Sequence, residues 1–274
     1  MKKIFYFSLF FSLFFFGCSD DSPNQNDLES LPIDIGGIQT ENSLGSTNAI
    51  FGHYIYTPSE YNNSSDEYPL LVFLHGSGQI GNSQTNPDAL KVLLWTGPPN
   101  MIAQKKWAPK YPMIVASPQL TSGSWNADDV HSFISYLISN YKINTNRIYL
   151  TGYSLGGFGC FNYISKYGSE SYAKAIVPIA GGGSISSADK YTDVAVWAFH
   201  GDSDTSVSKN YSIDMVNAIN ASNPNTSAKV TIYPGVGHNS DTRTFDGTGM
   251  GTESNDYDAF NMSIYDWMFL QVKN

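Results

Sequence analysis

Cysteine is almost absent from this 274-residue sequence, which has only Cys18 and Cys160. With Cys18 in an N-terminal leader, no disulfide framework can form, and Cys160 reads as a small buried hydrophobe. The five histidines are scattered, no His-Glu-x-x-His occurs and no cysteines are paired, so no metal site is expected. There is no Gly-x-x-x-x-Gly-Lys run, which removes a P-loop nucleotide site. Basic residues are few: 15 Lys and Arg stand against 24 Asp and Glu, a formal net charge of −9. So acidic a chain is a poor partner for nucleic acid or for an anionic membrane surface. The apolar run at 4 to 16, broken only by Ser8 and Ser12, is shorter than the ~18 residues a membrane span requires. Internal repeats and low-complexity tracts are lacking after it.

That run has the form of an export leader instead. Lys2 and Lys3 make a positive start, and Phe15-Phe16-Gly17-Cys18 resembles the lipobox of bacterial lipoproteins. The expectation is a signal peptide over 1–17, a lipidated Cys18 and a flexible linker over 18–33, with the membrane touched only through that lipid anchor. Ser19-Asp20-Asp21 resembles an acidic surface-export tag, which points to an outer-membrane or cell-surface lipoprotein of a Gram-negative bacterium. Residues 34–274 are then one domain, long enough for a sizeable core.

Short apolar runs punctuated by Gly and Pro predict strands at 50–57, 69–74, 113–117, 147–151, 175–179, 194–199 and 229–233. Several are apolar without alternation, as in strands covered on both faces. Helices are predicted at 128–141, 156–167, 209–221 and 259–272; in the first, Val130, Phe133, Ile134, Leu137 and Ile138 share a face. Alternating strands and helices imply a mostly parallel sheet with helices on both faces. The stretch 35–57, with a turn at 42–45, adds an antiparallel edge. Two long loops, 81–110 and 238–258, lie beside the motifs that carry chemistry.

Three of those motifs follow strands. Arg147 to Thr151 runs into Gly152-Tyr153-Ser154-Leu155-Gly156, the Gly-x-Ser-x-Gly of a nucleophile elbow, where small residues allow the tight turn that presents the serine. Such an elbow predicts an acid and then a histidine downstream. Trp197-Ala-Phe-His200-Gly201-Asp202-Ser203-Asp204 ends a strand in two carboxylates, and Tyr233-Pro-Gly-Val-Gly-His238 ends another in a histidine. The residues alone leave Asp202 and Asp204 open. Upstream, Leu71-Val-Phe-Leu-His75-Gly76-Ser77-Gly78-Gln79-Ile80-Gly81 contains Gly-x-Gly-x-x-Gly, which also occurs in dinucleotide folds. A dinucleotide site needs those glycines to open a helix, with an acidic residue about 20 positions on. Here they run into Asn82-Ser-Gln-Thr-Asn-Pro87, and only Met101-Ile-Ala-Gln-Lys follows at that spacing. The stretch is therefore an oxyanion loop, and backbone amides near Ser77 in it and of Leu155 in the elbow are expected to point at the carbonyl oxygen as it gains charge.

Together HGSGQIGN, Ser117-Pro-Gln119, Trp125, GYSLGGFG, WAFHGDSD and GVGHN resemble the α/β-hydrolase group of single-domain bacterial carboxylesterases. That group includes feruloyl-esterase-like, acetylxylan-esterase-like and polyhydroxybutyrate-depolymerase-like enzymes, and the likeness runs from about Gly37 to the C-terminus. It implies Ser154 as nucleophile, His238 as base and Asp204 as the acid. Gln79-Ile80 stands where members often have Glu-Arg, and Asp241 lies where an aromatic is common, so the substrate is the part the resemblance leaves open.

The expected protein is a monomeric serine esterase that needs no cofactor and acts on a small ester or an ester-decorated extracellular polysaccharide. Gln79, Gln119 and Trp125 are the candidates for substrate contact; Trp95 and Trp107 could also stack on sugar or aryl rings, with core or rim packing as the default reading. His75 and His200 are expected to bond locally and shape their loops. Asp241, Asp246, Glu253, Asp256 and Asp258 crowd one loop without EF-hand spacing and read as solvated. A peptidase with the same three residues, and a catalytically dead glycan-binding lipoprotein, are the alternatives.

Overall fold

A computed structural model describes residues 26–272. The leader and Cys18 lie outside the described residues. Eight strands form one sheet: β1 (Ile38–Asn42), β2 (Gly52–Thr57), β3 (Tyr68–Leu74), β4 (Ile114–Gln119), β5 (Ile143–Tyr153), β6 (Ala175–Ile179), β7 (Ala195–Gly201) and β8 (Lys229–Tyr233). Their order is β1-β2-β4-β3-β5-β6-β7-β8. β1 and β2 pair antiparallel, as do β2 and β4; every pair beyond β4 is parallel. This is the α/β-hydrolase architecture, with the expected antiparallel edge.

The inner strands are mostly apolar because both their faces are covered. β3, β4, β6 and β7 are buried at every position. Helices α1 (Asn26–Glu29), α2 (Gly97–Ala103), α3 (Ala127–Asn140), α4 (Leu155–Tyr167), α5 (Asn210–Ala221), α6 (Asp241–Phe245) and α7 (Ile264–Phe269) pack around the sheet. α3 buries Val130, Phe133, Ile134 and Leu137, and Asn126 caps its start by accepting from Asp128 N.

Three segments differ from expectation. The helix predicted over 259–272 is confined to α7, because the residues before it are tied to the sheet. Asp258 N donates to Val230 O at 3.0 Å and Phe260 N to Glu253 Oε1 at 2.8 Å, and Ser263 then caps the helix. The 81–110 loop is ordered by a 3-10 segment, Ala89–Trp95, and by α2. Finally, residues 26–33 of the expected linker pack on the domain. Leu28 is buried, and Asp27 accepts from Arg147 Nε at 2.6 Å and Nη2 at 2.8 Å. A guanidinium buried as fully as that of Arg147 requires a carboxylate partner, and the nearby N-terminal segment supplies it.

Candidate active site

The site is built at the carboxyl ends of β5, β7 and β8, the edge where parallel sheets open crevices between loops. Ser154 follows β5 at φ 54°, ψ −114°, a conformation that non-glycine residues rarely adopt. The turn closes only because its neighbours lack a Cβ. One added at Gly152 would come within 2.4 Å of Gly156 O, and one at Gly156 within 1.8 Å of Leu74 O. Ser154 N donates to Ile179 O at 2.9 Å, which locks the elbow onto β6.

His238, from the turn after β8, joins the other two residues. Its Nε2 lies 2.9 Å from Ser154 Oγ and its Nδ1 2.7 Å from Asp204 Oδ2. Of the two candidate carboxylates, Asp204 is therefore the one in contact. Exposed Asp202 instead accepts from Gly235 N at 2.7 Å and from the Ser203 hydroxyl. The Asp204 side chain is fully buried. Burial raises its pKa, but the bond from His238 and the amides of Val207 (2.9 Å) and Ser206 (2.8 Å) outweigh that and hold it below the usual carboxylate range. A second histidine also reaches this carboxylate. His200 Nε2 is 3.3 Å from Asp204 Oδ2 and 2.9 Å from Val207 O. Both are acceptors, so the proton of the neutral ring belongs on Nε2. Burial keeps the ring neutral by lowering its pKa. The other nitrogen, Nδ1, lies 2.9 Å from Ser212 Oγ, which is itself 2.8 Å from Gly181 O.

Ser77 and Leu155 each begin a helical turn, the 3-10 turn Ser77–Gln79 and α4, so their amides have no carbonyl one turn behind them. Gly76 O accepts from His75 Nδ1 at 2.7 Å and Gln79 N at 3.1 Å. Across a trans peptide this fixes the direction of the Ser77 N–H. His75 Nε2 in turn accepts from Leu120 N at 3.0 Å. Those partners specify the Nδ1–H tautomer, and burial pushes the ring's pKa down to about 4.

Two residues expected to touch substrate brace this loop instead. Trp125 is buried, packs edge-on against His75, and donates Nε1 to His75 O at 3.0 Å. Gln119 is buried and donates Nε2 to Gln79 O at 3.0 Å and Ala89 O at 2.6 Å. Gln79 does line the cavity, yet its Nε2 donates to Val92 O at 3.0 Å. Trp95, for which packing is the default expectation and ring stacking the alternative, lines the cavity and is exposed. Its exposure depends on how the 3-10 segment docks, which no local pattern announces. The cavity holds about 350 Å³ and is completed by Gly76, Ser77, Gly78, Thr96, Tyr153, Ser154 and His238. Thr96 Oγ1 donates to Asp241, tying its two long loops together. Two other carboxylates of the 238–258 loop are directed to its own backbone and to β8: Asp246 Oδ1 accepts from Thr248 N at 2.9 Å and Asp258 Oδ2 from Val230 N at 2.8 Å.

An unprotonated imidazole nitrogen against a serine hydroxyl, backed by a buried carboxylate, can remove the serine proton and return it to a leaving group. Residues 110–259 match the dienelactone hydrolase family, a window that contains Ser154, Asp204 and His238 and stops short of the 75–81 loop. No curated protein matches the chain in sequence. Among solved structures, a thermostable esterase superposes with TM-score 0.63 at 23% identity over 86% of this chain. The match takes in 63% of that esterase, so the chain spans less than two thirds of its length. A mutant of the feruloyl esterase module from Clostridium thermocellum, complexed with sinapinate, gives 0.56 at 16% identity, covering 91% of this chain and 92% of its own. A truncated carbohydrate esterase from gut microbiota gives 0.55 at 16%, covering 86% and 95%. At these identities the likeness is one of fold.

Proposed function

This chain belongs to the dienelactone hydrolase family, and from that premise we propose that it is a serine carboxylesterase acting on acyl or aryl-acyl esters of polysaccharide. The observation that supports the reading most is His238, within hydrogen-bond distance of Ser154 Oγ on one side and of Asp204 on the other. In the proposed reaction His238 Nε2 takes the Ser154 proton as Oγ attacks the ester carbonyl. The Asp204 carboxylate holds Nδ1–H and stabilises the imidazolium that forms. The amides of Ser77 and Leu155 donate to the carbonyl oxygen as it gains charge, each donor contributing about 10²–10³ in rate. The imidazolium then returns its proton to the departing alcohol, leaving an acyl-enzyme. Water, deprotonated by the same nitrogen, releases the acid and restores Ser154. No step calls for a cofactor. An exported chain, as residues 1–18 suggest, would meet such esters outside the cell.

The test is hydrolysis of p-nitrophenyl acetate, methyl ferulate and acetylated xylan by the wild type beside Ser154→Ala. Loss of the nucleophile should lower kcat by about 10⁶. Equal rates in the two folded proteins would end the esterase reading, and a faster reaction on a peptide p-nitroanilide than on any ester would make the enzyme a peptidase.

A further inference from the structure

An exposed tryptophan needs no explanation by itself. Trp95 differs in where it stands and how it is held. The sequence has five tryptophans, and the other four each meet another aromatic ring inside the fold: Trp107 on Tyr265, Trp125 on His75, and Trp197 with Trp267. Trp95 is 70% exposed, and no ring packs on it among the described residues. Yet it lines the same cavity as Ser154 and His238. Its backbone is also pinned on both sides. Gln79 Nε2 donates to Val92 O at 3.0 Å, Asn100 Nδ2 to Leu94 O at 2.6 Å, and Thr96 Oγ1 to Asp241. An uncovered indole on a fixed base is a preorganised surface for a flat ring, since little freedom remains to be lost on contact.

Among the described residues that line the cavity there is no Lys or Arg. The carboxylates near it are Asp204, behind His238, and Asp241, beside Thr96. Burial first, and then both of these, raise the Tyr153 phenol above its ordinary range. An anionic group on the substrate would therefore meet like charge with no lining Lys or Arg to offset it.

We propose that Trp95 is the specificity-determining platform for an uncharged ring with a flat apolar face, carried by the ester substrate, and that the cavity discriminates against anionic rings. The proposal rests on the esterase reading and names the substrate class of that site. Such a face belongs to an aryl acyl group or to the ring of the alcohol.

Three esters separate these sources: methyl acetate has no ring, methyl ferulate carries one on the acyl side, and p-nitrophenyl acetate carries one on the alcohol side. In Trp95→Ala, the kcat/KM ratio of one ring-bearing ester to methyl acetate should fall by at least about tenfold, which is about 1.4 kcal/mol. Trp95→Phe should recover most of that ratio. Which ratio falls identifies the side that carries the ring. If neither changes by more than about twofold, or if Phe is no better than Ala, the platform is refuted. In a second pair, wild type should cleave methyl 4-carboxycinnamate at least about tenfold more slowly than methyl cinnamate, and Asp241→Asn should narrow the gap. Equal rates on the pair would overturn the charge discrimination. Wild-type protein inert on every ester would end the esterase reading and this proposal together. Normal turnover that Ser154→Ala abolishes, with indifferent Trp95 variants, would overturn the proposal alone.

Discussion

A carboxylate paired with a basic side chain stands toward each end of β5. Near its start the Arg147 guanidinium, fully buried, is gripped by Asp27 through two hydrogen bonds. Just past its end, roughly 20 Å away at the rise of a strand, Ser154 meets His238 and the buried Asp204. The two couples differ in what their basic partners can do. A guanidinium keeps its charge across the working range of pH, so the first couple can only hold. An imidazole exchanges its proton, so the second can hold a geometry and also move a proton across it. One end of the strand is therefore a clamp and the other an instrument, and the same parallel sheet stiffens both.

The sharpest way to separate the ends is to neutralise a carboxylate at the reactive one. Asp204→Asn keeps the size of the side chain but can present an amide N–H to His238, which favours the wrong tautomer. A drop in kcat of about 10⁴ is expected, with folding retained. Asp202→Asn is the control. Its Oδ1 only accepts from Gly235 N and Ser203, and an asparagine oxygen can do the same. That variant should stay within about twofold of wild type in steady-state hydrolysis of p-nitrophenyl acetate. Comparable losses in the two variants would mean that Asp204 is not the distinctive partner of His238.

Acid should dismantle the reactive end first. His75 and His200, which bond within the loops of that end, are buried, and burial lowers the pKa of both. Between the unfolded value of 6.5 and the folded value, the unfolded chain binds protons that the native chain does not, so stability falls as pH falls. For His75, whose folded value is about 4, the loss reaches about 3 kcal/mol by pH 4. At the clamp, burial raises the Asp27 pKa, but the bond and charge of Arg147 bring it below 3.8, so this pair yields only in stronger acid. Urea unfolding at pH 7.5, 5.5 and 4.5 should show a falling free energy across that window, and His75→Asn should flatten the slope. A slope unchanged by that substitution would remove His75 from the account.

How far these features were legible depends on the range of the contacts that create them. Ser154, Asp204 and His238 each follow an apolar run that ends in Gly-rich sequence, so strand pattern and turn chemistry marked their positions locally. Asp204 over Asp202 was not local, because the choice depends on which carboxylate faces a residue from another turn. Trp125 and Gln119 stand at strand ends as a substrate contact would, but their hydrogen bonds go to His75 O, Gln79 O and Ala89 O. Those partners lie 30 or more positions away in the chain, and no spacing rule reaches so far. The stretch 259–263 carries helical periodicity, yet Asp258 and Phe260 are held by hydrogen bonds to Val230 and Glu253 that outweigh it. Asp27 and Arg147, 120 positions apart, left no trace in a polar segment that reads as linker.

That distant pair offers the smallest and cleanest break. Asp27→Ala removes the carboxylate facing a guanidinium that has no exposed surface. Breaking a buried pair from one side costs about 3–5 kcal/mol, but the Asp27 side chain is 41% exposed and water already shares its field. A loss nearer 2 kcal/mol is expected, or roughly 4–8 °C in Tm for a domain of this size. Arg147 Nη1 still donates to Phe269 O at 2.8 Å, so the sheet should keep its register and kcat should stay at the wild-type value. Thermal unfolding and steady-state kinetics on the same preparation decide it. A variant that melts early with full turnover keeps clamp and instrument separate. A variant that loses turnover in proportion to its stability would mean that β5 transmits strain from one end to the other, and that the two couples act as one.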